Sequence, residues 1–565
     1  MNYRATLLNY FRQRNRGWML SLFAAVCIVY LPFLGSPFVF DDLPCFSSNL
    51  IDHYTHSLFQ FELRWLPYAS LAWTSAIFSD VIPHFFRLGN MLLHAANVIL
   101  LFFLLRQLVT AAIPEVEKTS TVTWGAWFGA LIFACHPVAV YAVGYLVERS
   151  ILMATLFSLV AQLAYLRGLL TGQKRWLALA VIGYFLACFS KEHSVMLPAL
   201  LAAQTILLRV DGGDAVSSLR AKIIAGKGAL WSTWTALIAI AVFVVLLSKG
   251  VLGVPYEPMA AYSFEQMGVF ASGRMMHLLS ALTQAGLFFK YLLLWWMPNP
   301  AWMSVDMREN FIVSWSAWQG WLGGGAFMAY GALGGWLLSR SRWMGLAGLA
   351  LLYPWLQFIV EFSSIRVQEP FVLYRSYLWM PGMMLFFPLL LAKPVKSLVE
   401  GLPGRRTLLG LGLVVLLLVP LAWNRLWVFA DTYRLWNDAA LLLRSERETG
   451  ADRIYYNRGN AELAAQKWDD AIADFQRAVT LSPKLAPVHY ALGVAYINLK
   501  RNQDALAQFD AAIALKPDDA SYYYAKGITL KRLHQDDIAM RQMEKSCELK
   551  NMLACAIVQM RPGKK

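Results

Sequence analysis

The chain has 565 residues, 58% of them hydrophobic and 15% charged, with a mean hydropathy of +0.46. That composition excludes an ordinary soluble domain and a disordered chain, and describes a polytopic membrane protein joined to a soluble part. The formal net charge of +15 does not point to nucleic acid, because the basic residues fall mostly in short loops between apolar runs, where they set membrane orientation.

The amino end carries Arg4, Arg12, Arg14 and Arg16 ahead of an apolar run from Trp18. No small-x-small cleavage site is clear, so it reads as an uncleaved signal anchor. Apolar spans are expected near 17–35, 83–106, 121–137, 150–170, 176–190, 193–209, 231–248, 316–338, 343–361, 372–392 and 407–423. The stretch 278–297 is apolar but ambiguous; omitting it leaves eleven spans, counting it makes twelve. With eleven, the loops carrying Lys118, Lys174/Arg175, Arg220/Lys222/Lys227, Arg340/Arg342 and Lys393/Lys396/Arg405/Arg406 all lie inside with the amino end. With twelve, the last two clusters move outside, so the positive-inside rule selects eleven. The segment 249–315 is then an outer one, with 278–297 lying along or re-entering the membrane, and the carboxyl end is also outside.

In this topology the polar residues gather at the outer face. Asp41 and Asp42 follow the first span. Adjacent carboxylates repel, so one is expected to be held by a cation or hydrogen bonds and the other left as a base. Glu62 and Arg64 come later in the same loop; His136 ends the third span; Glu148 and Arg149 open the fourth. Ser190-Lys191-Glu192 turns between the fifth and sixth, and Arg366, Glu369, Tyr374 and Arg375 lie between the ninth and tenth. From Trp176 to Phe189 is only 14 residues, about 21 Å of helix against a hydrocarbon core of roughly 30 Å. Lys191 and Glu192 then sit below the outer surface, where charges line a polar cavity or satisfy each other. No His/Asp/Glu spacing makes a convincing metal site.

Residues 452–553 repeat with a period of 34. Tyr455, Gly459, Ala471, Phe475, Ala478 and Pro483 recur as His489, Gly493, Ala505, Phe509, Ala512 and Pro517, then as Tyr523, Gly527, Ala539 and Met543. This is the tetratricopeptide pattern of two helices per unit, whose arrays present a concave surface to a peptide or protein; a structural lid or dimerisation module is the alternative. Cys27, Cys135 and Cys188 lie in or at the ends of spans as packing residues, and Cys45 is alone in the first outer loop. Cys547 and Cys555 flank an expected helix turn. Their spacing resembles cysteine-rich helical repeats in which such a pair is disulfide-bonded, the alternative being two reduced core cysteines.

Read together, the outer-face motifs resemble the GT-C glycosyltransferases, above all the transmembrane-and-TPR-containing protein O-mannosyltransferases and their bacterial relatives. Phe38-Val-Phe-Asp-Asp resembles the family's first-loop acidic motif. Arg64-Trp-Leu-Pro stands where the family has an Arg-Pro-Leu-Thr-like motif, keeping the Arg and Leu. His84 to His94 resembles a second span bearing His, Asn and His. His136-Pro through Arg149-Ser resembles a His-Pro…Glu-Ala-Val…Gly-Arg-x-Asp motif, departing at Tyr141, Glu148 and Ile151. Ser190-Lys-Glu and Tyr374-Arg-Ser-Tyr-Leu-Trp-Met-Pro resemble two further motifs, and Trp427, Leu435 and Trp436 lead into the repeats as in the family.

The resemblance implies an all-α polytopic GT-C fold over residues 1–426, a linker helix over 427–451 and a C-terminal TPR α-solenoid over 452–565. It implies a sugar donor on a polyprenyl phosphate and a hydroxyl acceptor on the outer side, with no cofactor and no metal. Because the leaving group is already a phosphate, it needs positive charge rather than a proton. Asp41 is the expected base, taking the acceptor proton in an inverting transfer, and Asp42 orients the acceptor or holds a cation. Arg375, Lys191, Arg149 and Arg64 are the expected phosphate ligands, supported by Glu192, His136, Glu148, Tyr374 and His94. The segment with Trp295, Trp296 and Trp302 guides the lipid tail or anchors at the interface. A TPR groove favours Ser/Thr of a protein as acceptor. The expected location is a bacterial inner membrane, amino end cytoplasmic and TPR domain periplasmic. The alternatives are a GT-C enzyme acting on a surface lipid or polysaccharide, an oligosaccharide transferase or ligase, and a non-enzymatic TPR scaffold.

Overall fold

The computed structural model describes residues 3–47, 52–55, 62–78, 82–113, 120–210, 227–255, 257, 260–269, 273–340, 342–391, 405–446 and 448–560. These are helices and turns without a named strand. The orientation cues at Lys118, Arg220, Lys222, Lys393 and Lys396 lie outside the described residues. The chain divides into two compact units, one of residues 1–303 and 309–431, the other of 304–308 and 432–565.

Numbering helices of eight residues or more in chain order, the first unit contains α1 (Tyr3–Tyr30), α2 (Trp65–Phe78), α3 (Pro83–Ala112), α4 (Ser120–Cys135), α5 (Arg149–Thr171) and α6 (Lys174–Ser190). It continues with α7 (Leu197–Val210), α8 (Lys227–Leu247), α9 (Gly273–Trp296), α10 (Trp318–Leu338), α11 (Arg342–Phe358) and α12 (Arg405–Val428). Seven helical segments among the described residues are long and apolar enough to cross a membrane, or eight if α4 and the helix after it, bent by 51°, count as one span. The eleven segments read from sequence depart from this set in three places, and the set adds α9, which the eleven omit. The 372–392 segment is no single helix: Pro381, Gly382 and Pro388 divide it into short α and 3₁₀ pieces from Leu373 to Leu391. The 176–190 and 193–209 segments fall in helices of 17 and 14 residues, and the glycine-rich 316–338 segment falls outside the set. The ambiguous 278–297 segment lies in α9, a continuous helix of 24 residues.

The connection from α4 to α5 is the structural pivot of this unit. Pro137 and Gly144 interrupt the helix, and the chain runs through short turns from Pro137 to Glu148. A row of buried polar residues on one face of α3 holds these turns. Arg87, Asn90, His94 and Asn97 recur at helical spacing and are 5% exposed or less. Arg87, Asn90 and His94 give partners to the Gly144, Val143, Leu146 and Ala134 carbonyls at this break, as a broken helix in an apolar surround requires, and Asn97 bonds the Leu152 carbonyl on α5. α5 and α6 approach closely because Gly168 lacks a side chain; a Cβ there would stand 2.7 Å from Leu177 Cδ2.

The second unit opens with α13 (Thr432–Leu441), so the region expected as a linker helix is split: α12 ends at Val428, and α13 packs on α14 (Ala451–Ala464). Helix pairs follow as α14 with α15 (Trp468–Leu481), α16 (Ala486–Asn498) with α17 (Asn502–Leu515), and α18 (Ala520–Arg532) with α19 (Asp536–Glu548). A last helix, α20 (Met552–Gln559), closes the array. Gln466, Lys500 and His534 stand at φ of 61°, 59° and 59°, each in the turn inside its pair, where a left-handed residue reverses the chain. Phe475 and Phe509 are fully buried in a shared core with Ala471, Ala505 and Leu492. Cys547 and Cys555 form a disulfide with Cα atoms 4.6 Å apart, joining α19 to α20.

Candidate functional site

The loop after α1 is shaped by one cation and one acid. Arg87 reaches out of α3 and donates to the Ser36 carbonyl at 2.8 Å, the Gly144 carbonyl at 2.5 Å and the Pro37 carbonyl. Asp42 is fully buried and accepts from the backbone N–H of Val147 at 3.0 Å and of Val39 at 3.4 Å. Burial pushes its carboxyl up to about 7, against the pull of the Val147 N–H and the Arg87 charge. Phe40, at φ 53°, turns the chain between the two, a strained conformation for a bulky residue. Asp42 therefore points inward, while Asp41 emerges on the surface with its own backbone N–H donating to the Tyr145 hydroxyl at 3.1 Å. The adjacent acids are separated in role by geometry: Asp42 organises backbone, and Asp41 borders a space lined by charged residues.

That space is a cavity of about 600 Å³ within the first unit. Its polar wall includes Asp41, Arg64, Glu148, Lys191, Glu192, Arg366, Glu369, Tyr374 and Arg375. Its other wall is apolar, with Val244, Val245, Val251 and Leu252 from the end of α8 and the turn after it, and Ile359 and Val360 beyond α11. Polar groups from five separated stretches of sequence meet here.

The pairing is not the one adjacency suggests. Lys191 and Glu192 do not satisfy each other. Lys191 Nζ lies 3.2 Å from Glu148 Oε2 and 3.3 Å from Ser150 Oγ, and 5.4 Å from the centre of the Tyr374 ring. Glu192 instead accepts two hydrogen bonds from Arg64, a residue held at φ 63°. His193 continues the chain, its Nδ1 3.5 Å from Glu192 Oε1 and its Nε2 3.2 Å from Glu361 Oε1. Glu361 Oε2 accepts a hydrogen bond from Arg375 Nη1 at 3.1 Å and forms an ion pair with Arg366, whose Nε lies 2.9 Å away.

Four of the expected site residues lie away from the cavity. Arg149 is buried behind it and is occupied by the Asn90 Oδ1 and Phe86 carbonyl, both at 2.8 Å, and the Ser70 carbonyl at 3.2 Å. As the first residue of α5 it pins that helix to α2 and α3 rather than facing the opening. Asp42 is buried as described. His94 is buried, with Nδ1 2.6 Å from the Tyr377 hydroxyl and Nε2 3.1 Å from the Ala134 carbonyl, so it ties α3 to the short helix after Arg375. His136 accepts from the Val138 N–H at 3.2 Å, capping the turn that follows it, and its ring stacks on Trp295 at 4.3 Å. Trp295 is itself buried and donates to Ser376 Oγ at 2.9 Å, whereas Trp296 is 46% exposed.

Three contributors escaped sequence reasoning. Arg87 looks like one more polar residue in a helix. Glu361 is the sole carboxylate between Glu309 and Glu369, and a lone acid at the end of an apolar helix was the available signal. Glu257 accepts from three consecutive backbone N–H groups, of Val367, Gln368 and Glu369 at 2.9, 2.6 and 3.0 Å, fixing the loop that carries Arg366. No local pattern marks it.

Among the described residues no three His, Cys, Asp or Glu side chains form a group that could hold a metal ion. Cys45 lines the cavity, and burial, aided by Asp42 and Asp41, pushes its thiol up to about 11, so it stays protonated near neutral pH.

The chain is thus an all-helical protein in which an apolar helical unit carries a charged cavity and a second unit carries paired-helix repeats. The model of the tetratricopeptide repeat family matches residues 434–486, 456–520 and 490–530, so tetratricopeptide repeats occupy the C-terminal region. No curated protein matches the chain. Among solved structures it is similar to the Arabidopsis OM64 TPR domain, at 19% identity over 19% of this chain and 92% of that one, with a TM-score of 0.19. It is also similar to the first TPR of Spaghetti (RPAP3) bound to an HSP90 peptide, at 22% identity over 19% and 87% of the two chains, TM-score 0.19. A third is MamA, at 22% identity over 27% and 81%, TM-score 0.20.

Proposed function

We propose that the first unit is a membrane-embedded GT-C glycosyltransferase that moves a sugar from a polyprenyl phosphate to a hydroxyl acceptor with inversion. The observation that carries this reading is the single cavity holding Asp41, Lys191, Arg64 and Arg375 against the apolar strip of Val244, Val245, Val251 and Leu252. A lipid-linked phosphate needs both walls: cations for the head and an apolar surface for the first isoprene units.

Asp41 is the only one of the acid pair that reaches the cavity, and it acts as the base. Its carboxylate takes the proton of the acceptor hydroxyl as the oxygen attacks the sugar C1. The bond from C1 to the phosphate oxygen breaks on the opposite face. The departing polyprenyl phosphate leaves with the electron pair, its charge stabilised by Lys191, Arg375 and Arg64 without a proton donor. Arg149 is left out of the phosphate set because its N–H groups are spent on α2 and α3. The tetratricopeptide array holds the acceptor polypeptide, which favours Ser or Thr of a protein. The disulfide between Cys547 and Cys555 supports an oxidising compartment for that array, as in a periplasm beside a bacterial inner membrane.

The test is transfer by the full chain reconstituted in lipid, using a panel of hexosyl and pentosyl polyprenyl phosphates and outer-compartment proteins as acceptors. Asp41→Asn is expected to lower product at least 100-fold. Full activity in that variant sinks the assignment, and sugar appearing on lipid or polysaccharide instead of protein redirects the acceptor.

A further inference from the structure

Glu361 is 1% exposed and sits in the 3₁₀ turn that ends α11. It does not itself line the cavity, yet two of the cavity's cations depend on it. Arg366 Nε and Arg375 Nη1 converge on the same oxygen, Oε2, at 2.9 and 3.1 Å. The other oxygen, Oε1, faces His193 Nε2 at 3.2 Å. His193 in turn touches Glu192, the acid that holds Arg64. One carboxylate therefore braces cations contributed by the loop at Arg366, the motif at Tyr374-Arg375 and, through His193 and Glu192, the loop at Arg64.

We infer that Glu361 is the positioning residue of the phosphate site, holding the Arg366 and Arg375 guanidiniums in one orientation beside the leaving phosphate. The inference rests on the glycosyl-transfer reading of the cavity. Two long guanidinium side chains confined next to each other repel and sample many rotamers. A shared buried carboxylate removes both problems before the donor arrives, which is the condition for electrostatic stabilisation that costs no reorganisation during the reaction. Glu361 is a carboxylate in an apolar stretch, expensive to bury unless paired, and its pairing is entirely with residues of this site.

A purely structural brace and a positioning brace predict different kinetics. Glu361→Gln keeps the shape but removes the negative charge that competes with phosphate for the two guanidiniums. The donor should bind more tightly, with KM lowered at least threefold, while kcat falls at least tenfold because the cations are no longer held. The charge-conserving Glu361→Asp is shorter by one methylene and cannot span all three partners. It should lower kcat by a similar factor with KM unchanged, and it serves if the Gln variant does not accumulate. Binding of farnesyl phosphate, which carries no sugar to transfer, gives a reading independent of turnover. It should tighten in the Gln variant in parallel with KM.

Loss of kcat with unchanged KM and unchanged farnesyl phosphate affinity in Glu361→Gln, or wild-type kcat in Glu361→Asp, overturns the inference. If the wild-type chain binds farnesyl phosphate, and more tightly as Glu361→Gln, but transfers no sugar, the anion site stands and the glycosyltransferase reading fails. If the wild type transfers sugar and both variants match it, the reverse holds.

Discussion

Arg64 grips Glu192 across 128 residues of sequence, Nε to Oε2 at 3.0 Å and Nη2 to Oε1 at 2.5 Å. The same turn sends the neighbouring Lys191 to a different acid, Glu148. Two adjacent charges of opposite sign are thus used to tie two separate segments to one cavity wall. That arrangement leaves each cation with a defined partner and a defined direction.

The Lys191–Glu148 pair is buried, with side-chain exposures of 4% and 8%. Alanine at either position alone leaves an uncompensated buried charge and is expected to destabilise by about 3–5 kcal/mol. The double substitution should cost less than the larger single one. A double-mutant cycle read by thermal melting of the detergent-solubilised chain checks this; strict additivity would mean that the two charges are not coupled.

Asp42 gives a pH dependence of definite sign. Its carboxyl is raised in the folded chain from 3.8 to about 7. Below 3.8 both states are protonated and its contribution to stability is fully present. As pH rises toward 7 the unfolded state ionises first, and that contribution is lost. Asp42→Asn cannot ionise, so the variant should gain stability relative to wild type as pH rises from about 4 to about 7, with the gap level above that. Melting temperatures of the two proteins across that range are the measurement. A gap that stays constant with pH would show that Asp42 is ionised throughout.

Arg87→Lys replaces a planar fork by a point charge and cannot reach the Ser36, Pro37 and Gly144 carbonyls together. About 2–3 kcal/mol of stability should be lost, one charged hydrogen bond's worth. The loop bearing Asp41 should also become susceptible to limited proteolysis. A loop that stays protected would assign its order to Asp42 alone.

In the second unit, a Cβ on Gly493 would stand 2.6 Å from the Phe509 ring. Gly493→Ala should cost about 1–3 kcal/mol through overpacking. Hydrogen exchange of the full chain should show protection lost over α16 and α17 first. Unchanged protection there would mean that the ring can retreat.

The repeats were legible because their determinants are local and periodic. Gly459, Gly493 and Gly527 face Phe475, Phe509 and Met543 at a constant offset, and a 34-residue period survives in the linear string. Part of the cavity's lining was legible too, since Asp41, Lys191 and Arg375 each stand in a short polar motif at the end of an apolar run. The number of helices long and apolar enough to cross a membrane was less so. Hydropathy averages over Pro381 and Gly382 in 372–392, where backbone geometry does not, and α9 is continuous although its sequence is mixed.

The two-part organisation, the repeat architecture and the charged residues from which a site would be built are written in the linear chain, because composition and periodicity act over neighbouring residues. Packing selects Asp41 to face the cavity while Asp42 is buried, Arg149 to brace helices, and Glu361 to hold Arg366 and Arg375. These are choices of direction and partner. The partners come together only when α3, α5, α11 and the turns between them pack, so no local stretch of the chain contains the information that selects one carboxylate over its neighbour.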